Sequence, residues 1–175
     1  MRLFIAIDFN ELKNYFAELQ KLLPKNAKLS FTKTFHLTLK FLGEVQPNNA
    51  EKVADILKKI KFKHFSVHLD SIGIFPTENY IRVVWVGLKP EDKVLELQKN
   101  IDDLLRELFK REMEFKAHIT LARVKYPEDK KSFVEQLKKI KVEGKKIEIK
   151  NFRLIKSTLM PKGPVYEDLY IFNSD

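Results

Sequence analysis

Two short segments of the chain share one pattern of residue types, and each contains a histidine and a threonine. Residues 35–39 read Phe-His-Leu-Thr-Leu, and residues 117–121 read Ala-His-Ile-Thr-Leu. The two histidines, His36 and His118, lie 82 positions apart (118 − 36) in a chain of 175 residues, which is close to half its length. Because the unperturbed pKa of histidine is about 6.5, two imidazoles at one site can donate and accept protons near neutral pH. The spacing indicates a duplicated architecture that brings two equivalent histidines together.

Both motifs are typical of β-strands that are buried on one face. Side chains of a strand alternate between its two faces, so His36, Thr38 and Lys40 share one face while Leu37, Leu39 and Phe41 point into the core. In the same way His118 and Thr120 share the matching face of the second strand. One copy alone would indicate no more than a half-buried histidine. Two copies in matching contexts favour a common cleft that receives an imidazole and a hydroxyl from each strand.

The chemistry that suits two such pairs is attack at a phosphodiester phosphorus. A neutral histidine can take a proton from the attacking hydroxyl, and a protonated histidine can give one to the departing ribose oxygen. Threonine hydroxyls can donate hydrogen bonds to the non-bridging oxygens as negative charge builds on them. We therefore predict that His36, His118, Thr38 and Thr120 are catalytic, and that the reaction needs no metal or cofactor.

A second histidine pair, His64 and His68, has the spacing of helical zinc sites. The apolar residues between them suit a strand, the glutamate of the helical zinc pattern is missing, and no third ligand is evident. We expect no metal site there.

The elements that must position the motifs alternate between strands and helices. Apolar periodicity, caps and prolines predict helices over residues 10–23, 47–60, 90–109 and 127–140, and strands over residues 2–9, 35–42, 65–75, 80–88, 117–124, 145–156 and 165–172. Strands joined partly by hairpins favour an α+β fold with largely antiparallel sheets. We predict two pseudo-symmetric lobes around a central cleft, each a mostly antiparallel sheet with two helices, within a single bilobal domain over residues 1–175.

Composition narrows the class of protein. The chain is 44% hydrophobic with 14 Phe, which is ample for a core, and it has no cysteine, which excludes disulfides, thiol nucleophiles and thiolate metal sites. No apolar run approaches the ~20 residues of a membrane span, and the first residues are too short for a signal peptide, so a cytoplasmic location is expected. The net charge of +9 favours polyanionic partners, nucleic acid above all. Charged residues at 33%, rich in lysine and glutamate, are typical of heat-adapted proteins.

The two motif segments, together with others along the chain, resemble a known family, the two-histidine phosphoesterases. The branch they are most similar to is RNA 2′,3′-cyclic phosphodiesterase, also called 2′-5′ RNA ligase, and the similarity extends over the segments 2–7, 35–43, 82–88, 118–123, 157–159 and 163–166. The resemblance implies the bilobal α+β fold and the opening of an RNA 2′,3′-cyclic phosphate to a 2′-phosphate. It also implies a reversible capacity to form or break 2′-5′ linkages. In that branch the first motif histidine is the proton donor and the second the acceptor, which are here His36 and His118.

Basic residues beside the motifs are candidates for binding the substrate phosphate. The family's basic residue after the second motif falls on Arg123. In a strand that stays regular through Val124, Arg123 would point to the core, and a bend near Ala122 is required to bring it to phosphate. Lys40 of the first motif shares the face of His36 and is predicted to bind substrate from there.

Aromatic residues could hold a terminal base by stacking, as they do in single-strand binding. Phe75 lies at the end of its predicted strand, and we predict that it binds the substrate. Trp85 is placed in the core by its neighbours Val84 and Val86. Tyr166 follows a turn and is predicted to line the groove.

Three functions fit these residues. The first is metal-independent hydrolysis of RNA 2′,3′-cyclic phosphate ends by a monomeric enzyme. The second uses the same histidine pair for 2′-5′ joining or cleavage of RNA, for example of tRNA halves; the absence of a glycine-rich phosphate loop and of an adenylation lysine motif argues against an ATP-driven ligase. The third is a non-catalytic module that binds RNA ends.

Overall fold

The computed structural model describes all 175 residues as nine strands and four α-helices. The strands are β1 (Arg2–Asp8), β2 (Ala27–Phe31), β3 (His36–Glu44), β4 (Phe65–Thr77), β5 (Tyr80–Lys89), β6 (Ile119–Pro127), β7 (Lys146–Ile149), β8 (Asn151–Met160) and β9 (Gly163–Asn173). The helices are α1 (Lys13–Leu22, after a 3-10 turn at Asn10–Leu12), α2 (Pro47–Leu57), α3 (Asp92–Leu104) and α4 (Lys130–Lys138).

The strands form two sheets, and every neighbouring pair is antiparallel. A four-stranded sheet has the order β3-β1-β8-β9, and a five-stranded sheet has the order β2-β6-β5-β4-β7. The first motif lies on β3 in the smaller sheet, and the second lies at the start of β6 in the larger one. The predicted α+β class with two antiparallel sheets is confirmed.

One connected core joins both sheets to all four helices. It contains 40 buried residues, with the apolar stripe of each helix turned inward. Two helices pack on the sheet that does not contain the strand before them. Helix α1 follows β1 of the smaller sheet and packs on β6 of the larger one. Helix α3 follows β5 of the larger sheet and packs on β3 of the smaller one. The strand that carries each motif is therefore backed by a helix that follows a strand of the other sheet. None of the helices combines the length and the apolar character that crossing a membrane requires.

Two differences from the sequence-based elements have simple causes. The strand predicted over 145–156 is two strands in different sheets: the buried positions run 147 and 149 in β7, and then 152 and 154 in β8, so the alternation changes phase at Lys150. The short edge strand β2 was not predicted, because its burial is only partial and its conformation depends on pairing with β6.

Candidate active site

A β-bulge interrupts the first motif strand directly after its threonine. In the pairing of β1 with β3, Ala6 lies opposite Thr38 and Ile5 lies opposite Lys40, so Leu39 is an extra residue. A bulge of this kind reverses the alternation of side chains that follow it. His36 and Thr38 keep their common face, as predicted, while Lys40 and Phe41 change sides.

The prediction that Lys40 binds substrate from the histidine face is therefore wrong. Its side chain is 3% exposed and lies in the core. Nζ is 2.5 Å from Oδ1 of Asp102 and donates to the carbonyl of Lys110 at 2.6 Å. The bulge at Leu39 turns Lys40 inward, where α3 supplies the carboxylate that a buried ammonium requires.

The second motif strand has a bulge at the equivalent position. Thr120 lies opposite Trp85 and Ala122 lies opposite Val84, which leaves Leu121 as the extra residue. Arg123 consequently returns to the face of His118 and Thr120. Its positive charge acts on His118, whose pKa it lowers. The bulge is the bend that Arg123 needs to reach the cleft.

The two bulges also reveal a residue that alternation had placed in the core. Phe41 follows His36 by five positions, as Arg123 follows His118, so the two occupy equivalent places on the cleft face. Phe41 is 70% exposed, and its ring centroid lies 6.1 Å from that of Phe4. The expectation that Phe41 is buried was wrong for the same reason as that for Lys40.

Each histidine is packed against two aromatic rings. His36 has the centroids of Phe4 and Tyr166 at 5.0 and 5.3 Å, and His118 has those of Phe75 and Trp85 at 4.7 and 6.1 Å. These rings shield the imidazoles from water and restrict their rotation.

Two of these aromatic residues have further features that matter for the cleft. Trp85 lies opposite Thr120 and is half-buried on the cleft face, so the expectation that it lies in the core was wrong. A Cβ at Gly73 would lie 2.2 Å from its ring, so only glycine leaves room for the indole there. Burial raises the pKa of Tyr166, and the nearby charges of Arg123 and Arg2 oppose this shift. Its hydroxyl thus stays protonated near two cations that belong to different sheets.

A backbone carbonyl fixes the tautomer of His118. Its Nδ1 lies 2.7 Å from the carbonyl oxygen of Lys116. Because a carbonyl oxygen can only accept, Nδ1 carries the proton, and Nε2 is left with a lone pair.

The electrostatics of the cleft hold both imidazoles neutral at pH 7. Burial lowers the pKa of His36 to about 4, the Asp8 carboxylate raises it, and the charge of His118 lowers it. Burial also lowers the pKa of His118; the bond to the Lys116 carbonyl opposes this, and the charges of Arg123 and Lys116 add to it. The two histidines are thus close enough for the charge of one to act on the other.

The segment before His36 is held by a hydrogen-bond network that the sequence did not suggest. Oδ1 of Asp8 accepts from the backbone and side-chain nitrogens of Asn10, both at 2.7 Å, and Oδ1 of Asn10 accepts from the backbone nitrogen of Phe35 at 2.8 Å. The Nη1 atom of Arg153 lies 3.0 Å from Oδ2 of Asp8 and forms an ion pair with it. This network fixes the backbone at the start of the motif and keeps a carboxylate opposite His36.

Neither His64 nor His68 takes part in this site. His64 is exposed, His68 is half-buried on β4, and no group of three or more His, Cys, Asp or Glu side chains is placed to hold a metal ion.

Comparison with known proteins places the chain among phosphoesterases. A family model described as LigT like Phosphoesterase matches the chain twice, over residues 7–85 and 86–166. An RNA 2′,3′-cyclic phosphodiesterase of Methanocaldococcus jannaschii is 41% identical, with 95% of this chain and 97% of that protein covered. A protein of the same name from Archaeoglobus fulgidus is 33% identical, with 98% and 99% covered.

Solved structures show the same fold. TT0787 of Thermus thermophilus has a TM-score of 0.81 and 28% identity, with 99% of this chain and 97% of that chain covered. LigT of E. coli, crystallised with 3′-AMP, has a TM-score of 0.77 with the same coverage, and at 22% identity this likeness concerns the fold alone. The family predicted from the motif pair is confirmed: the chain belongs to the LigT-like phosphoesterases.

Proposed function

We propose that the protein hydrolyses RNA 2′,3′-cyclic phosphate ends to 2′-phosphate ends, with His36 and His118 as the proton-transfer pair. The observation that carries this proposal is the cleft itself: two half-buried imidazoles, each followed on the same face by a threonine, with the charge of His118 acting on His36. The names of the relatives from Methanocaldococcus jannaschii and Archaeoglobus fulgidus support the choice of substrate.

His118 is suited to be the proton acceptor. With its Nδ1 proton donated to the Lys116 carbonyl, Nε2 offers a lone pair to a water molecule in the cleft. The water oxygen attacks phosphorus as Nε2 takes its proton, and the bond between phosphorus and O3′ breaks. His36 gives its proton to O3′, so the phosphate remains on O2′. The same pair would form a 2′-5′ linkage if a 5′-hydroxyl of another RNA replaced the water.

His36 can act as a proton donor because the substrate brings a negative charge. In the free protein, burial holds its pKa at about 4, so little imidazolium exists at pH 7. A phosphate anion beside the ring favours the charged form, and the Asp8 carboxylate acts in the same direction. Substrate binding and protonation of His36 are therefore coupled.

The remaining cleft residues have roles in charge stabilisation and base binding. Thr38 and Thr120 can donate hydrogen bonds to the two non-bridging oxygens, and Arg123 can neutralise the charge that grows on them. The protonated hydroxyl of Tyr166 provides a further donor from the opposite sheet. Phe75 packs edge-on against His118 and can offer a face to the terminal base.

Product analysis tests the proposal directly. An oligoribonucleotide that ends in a 2′,3′-cyclic phosphate is incubated with the protein in EDTA, and the product is separated from synthetic 2′-phosphate and 3′-phosphate standards. We expect the 2′-phosphate alone. A 3′-phosphate product, or no turnover of the cyclic end, would contradict the proposal, and a 2′-5′-linked dimer as the main product would favour the ligase.

The pH dependence of the rate follows from the lowered histidine pKa values. Catalysis requires one protonated and one neutral histidine, so kcat/KM, which reports on the free enzyme, peaks between their two pKa values. Both lie below 6.5, so we expect an optimum of kcat/KM below pH 6.5 and a decline as pH rises. The optimum of kcat lies higher, because the bound phosphate raises the pKa of the imidazolium.

This prediction is checked with rate profiles of a cyclic mononucleotide from acid to alkaline pH. Asp8→Asn removes the carboxylate that raises the pKa of His36, so its kcat/KM optimum should move further to acid. An optimum of kcat/KM at pH 7 or above in the unaltered protein would contradict the assignment.

A further inference from the structure

One end of the five-stranded sheet carries exposed tyrosines and cations beyond the catalytic cleft. On β6, Tyr126 lies opposite Lys28 of β2, further along the strand than Arg123. On β5, Tyr80 lies beyond Val83, the residue that pairs with Arg123. Tyr126 is 71% exposed and Tyr80 is 56% exposed. We call Tyr126, Lys28, Tyr80 and Arg82 the sheet-end surface.

Strand register places this surface on the same side of the sheet as the catalytic groups. Ser30 of β2 lies opposite Arg123, and Lys28, two residues earlier, shares its face. A further bulge at Lys125 lets Tyr126 pair with Lys28, while Val124 remains buried. The cleft face of this strand therefore presents, in order, His118, Thr120, Arg123 and Tyr126.

The charges of the surface are not neutralised by the protein. Arg82 donates to the hydroxyl of Tyr80 at 2.8 Å, and its guanidinium lies 5.5 Å from the centre of that ring, which holds the tyrosine in place. Lys28, Arg82 and Arg123 belong to none of the ion pairs in the structure. The carboxylate of Glu78, in the turn before Tyr80, is paired with Lys138 at 3.3 Å.

The equivalent end of the first motif strand has a different character. There the row that begins with His36 ends at Glu44, opposite Arg2, and the Glu44 carboxylate lies 3.3 Å from the N-terminal amine. The charge of Glu44 is paired within the protein, whereas the sheet-end surface offers cations that belong to no ion pair, together with exposed tyrosine rings. Single-stranded nucleic acids bind through that combination, with cations along the backbone and aromatic rings under the bases.

We propose that the nucleotides just upstream of the cyclic phosphate lie on the sheet-end surface, with Tyr126 stacked on a base and Lys28 beside a phosphate. This inference rests on the proposed function, because an RNA whose 3′ end is in the cleft must leave it on one side. Contacts on the sheet-end surface, remote from the reacting phosphorus, would make the enzyme prefer oligonucleotides to mononucleotides.

The test compares two substrates with the same terminal nucleotide, a nucleoside 2′,3′-cyclic phosphate and an oligoribonucleotide of about ten residues with the same end. Loss of one base stack corresponds to about a 5- to 150-fold change in affinity. For Tyr126→Ala we expect a fall of that size in kcat/KM for the oligonucleotide and less than a twofold change for the mononucleotide. Tyr126→Phe keeps the ring and should retain the oligonucleotide rate.

The role of Lys28 is tested by the dependence of kcat/KM on salt concentration. Lys28→Ala should reduce the slope of log(kcat/KM) against log salt by about 0.7 for the oligonucleotide, the value for one phosphate contact with a single strand. Lys52→Ala, at an exposed lysine of α2, is the matched control and should leave the slope unchanged.

The outcomes separate this inference from the proposed function. If the unaltered protein opens neither substrate, the proposed function fails. If it opens both, and Tyr126→Ala slows both equally or neither, the function stands and the sheet-end surface is not the path of the RNA.

Discussion

His118→Asn should lower kcat for a 2′,3′-cyclic phosphate by about 10²- to 10⁴-fold, and His36→Asn should do the same. This is the range expected for loss of one proton-transfer group. Asparagine keeps a polar side chain of similar reach between the aromatic rings, but it cannot transfer a proton. Because the two groups act in one step, the double variant should be little slower than either single variant. Single-turnover and steady-state rates on a cyclic mononucleotide measure all three.

His68→Asn is the matched control, since His68 is half-buried on β4 and takes no part in the cleft. It should retain the full rate. Full activity in either cleft variant would contradict the paired-histidine mechanism. If the double variant binds an RNA end as tightly as the unaltered protein, and the unaltered protein shows no turnover, the protein is instead a binding module for RNA ends.

Strand alternation predicted the paired faces of the motifs correctly only as far as each threonine. His36 and Thr38 share one face, and so do His118 and Thr120, because the two-residue period holds within each motif. The prediction for Lys40 failed one step later. A bulge is a property of the pairing between two strands, and a single strand read in isolation does not contain it.

The duplication held a signal that could have revealed both bulges. Aligned on their histidines, the two motifs place Lys40 with Ala122 and Phe41 with Arg123. Arg123 is expected at the substrate phosphate, and Ala122 suits the core. Both can hold only if the alternation of the second strand shifts by one residue after Leu121. The same one-residue shift in the first strand predicts that Lys40 points into the core and Phe41 into the cleft. The network of Asp8 and Asn10 left no such signal, because it joins segments that only the fold brings together.

The inward turn of Lys40 connects the two motifs physically. Its ammonium bonds to Asp102 of α3 and to the Lys110 carbonyl, and Oδ2 of Asp102 accepts from the backbone nitrogen of Glu112 at 3.0 Å. The segment held in this way leads directly to Lys116, whose carbonyl fixes the tautomer of His118. The strand of the first histidine thus anchors the approach to the second.

Lys40→Met should lower the free energy of unfolding by about 3–5 kcal/mol, the cost of leaving one member of a buried ion pair without its partner. The methionine fills most of the volume of the lysine stem, but it leaves the carboxylate of Asp102 in the core without a cation. Urea denaturation at pH 7 measures the change. Lys58→Met, which breaks an exposed pair with Asp55, is the matched control and should cost at most about 1 kcal/mol.

The double variant Lys40→Met, Asp102→Leu distinguishes the cost of an isolated charge from a loss of packing. It removes both charges and should recover most of the stability, because well-packed apolar pairs replace buried ion pairs at little net cost. The recovery is incomplete, since the carbonyl of Lys110 and the backbone nitrogen of Glu112 lose their partners. A loss below about 1 kcal/mol in Lys40→Met alone would show that the pair is solvated rather than buried, and the anchor between the two motifs would then have little strength.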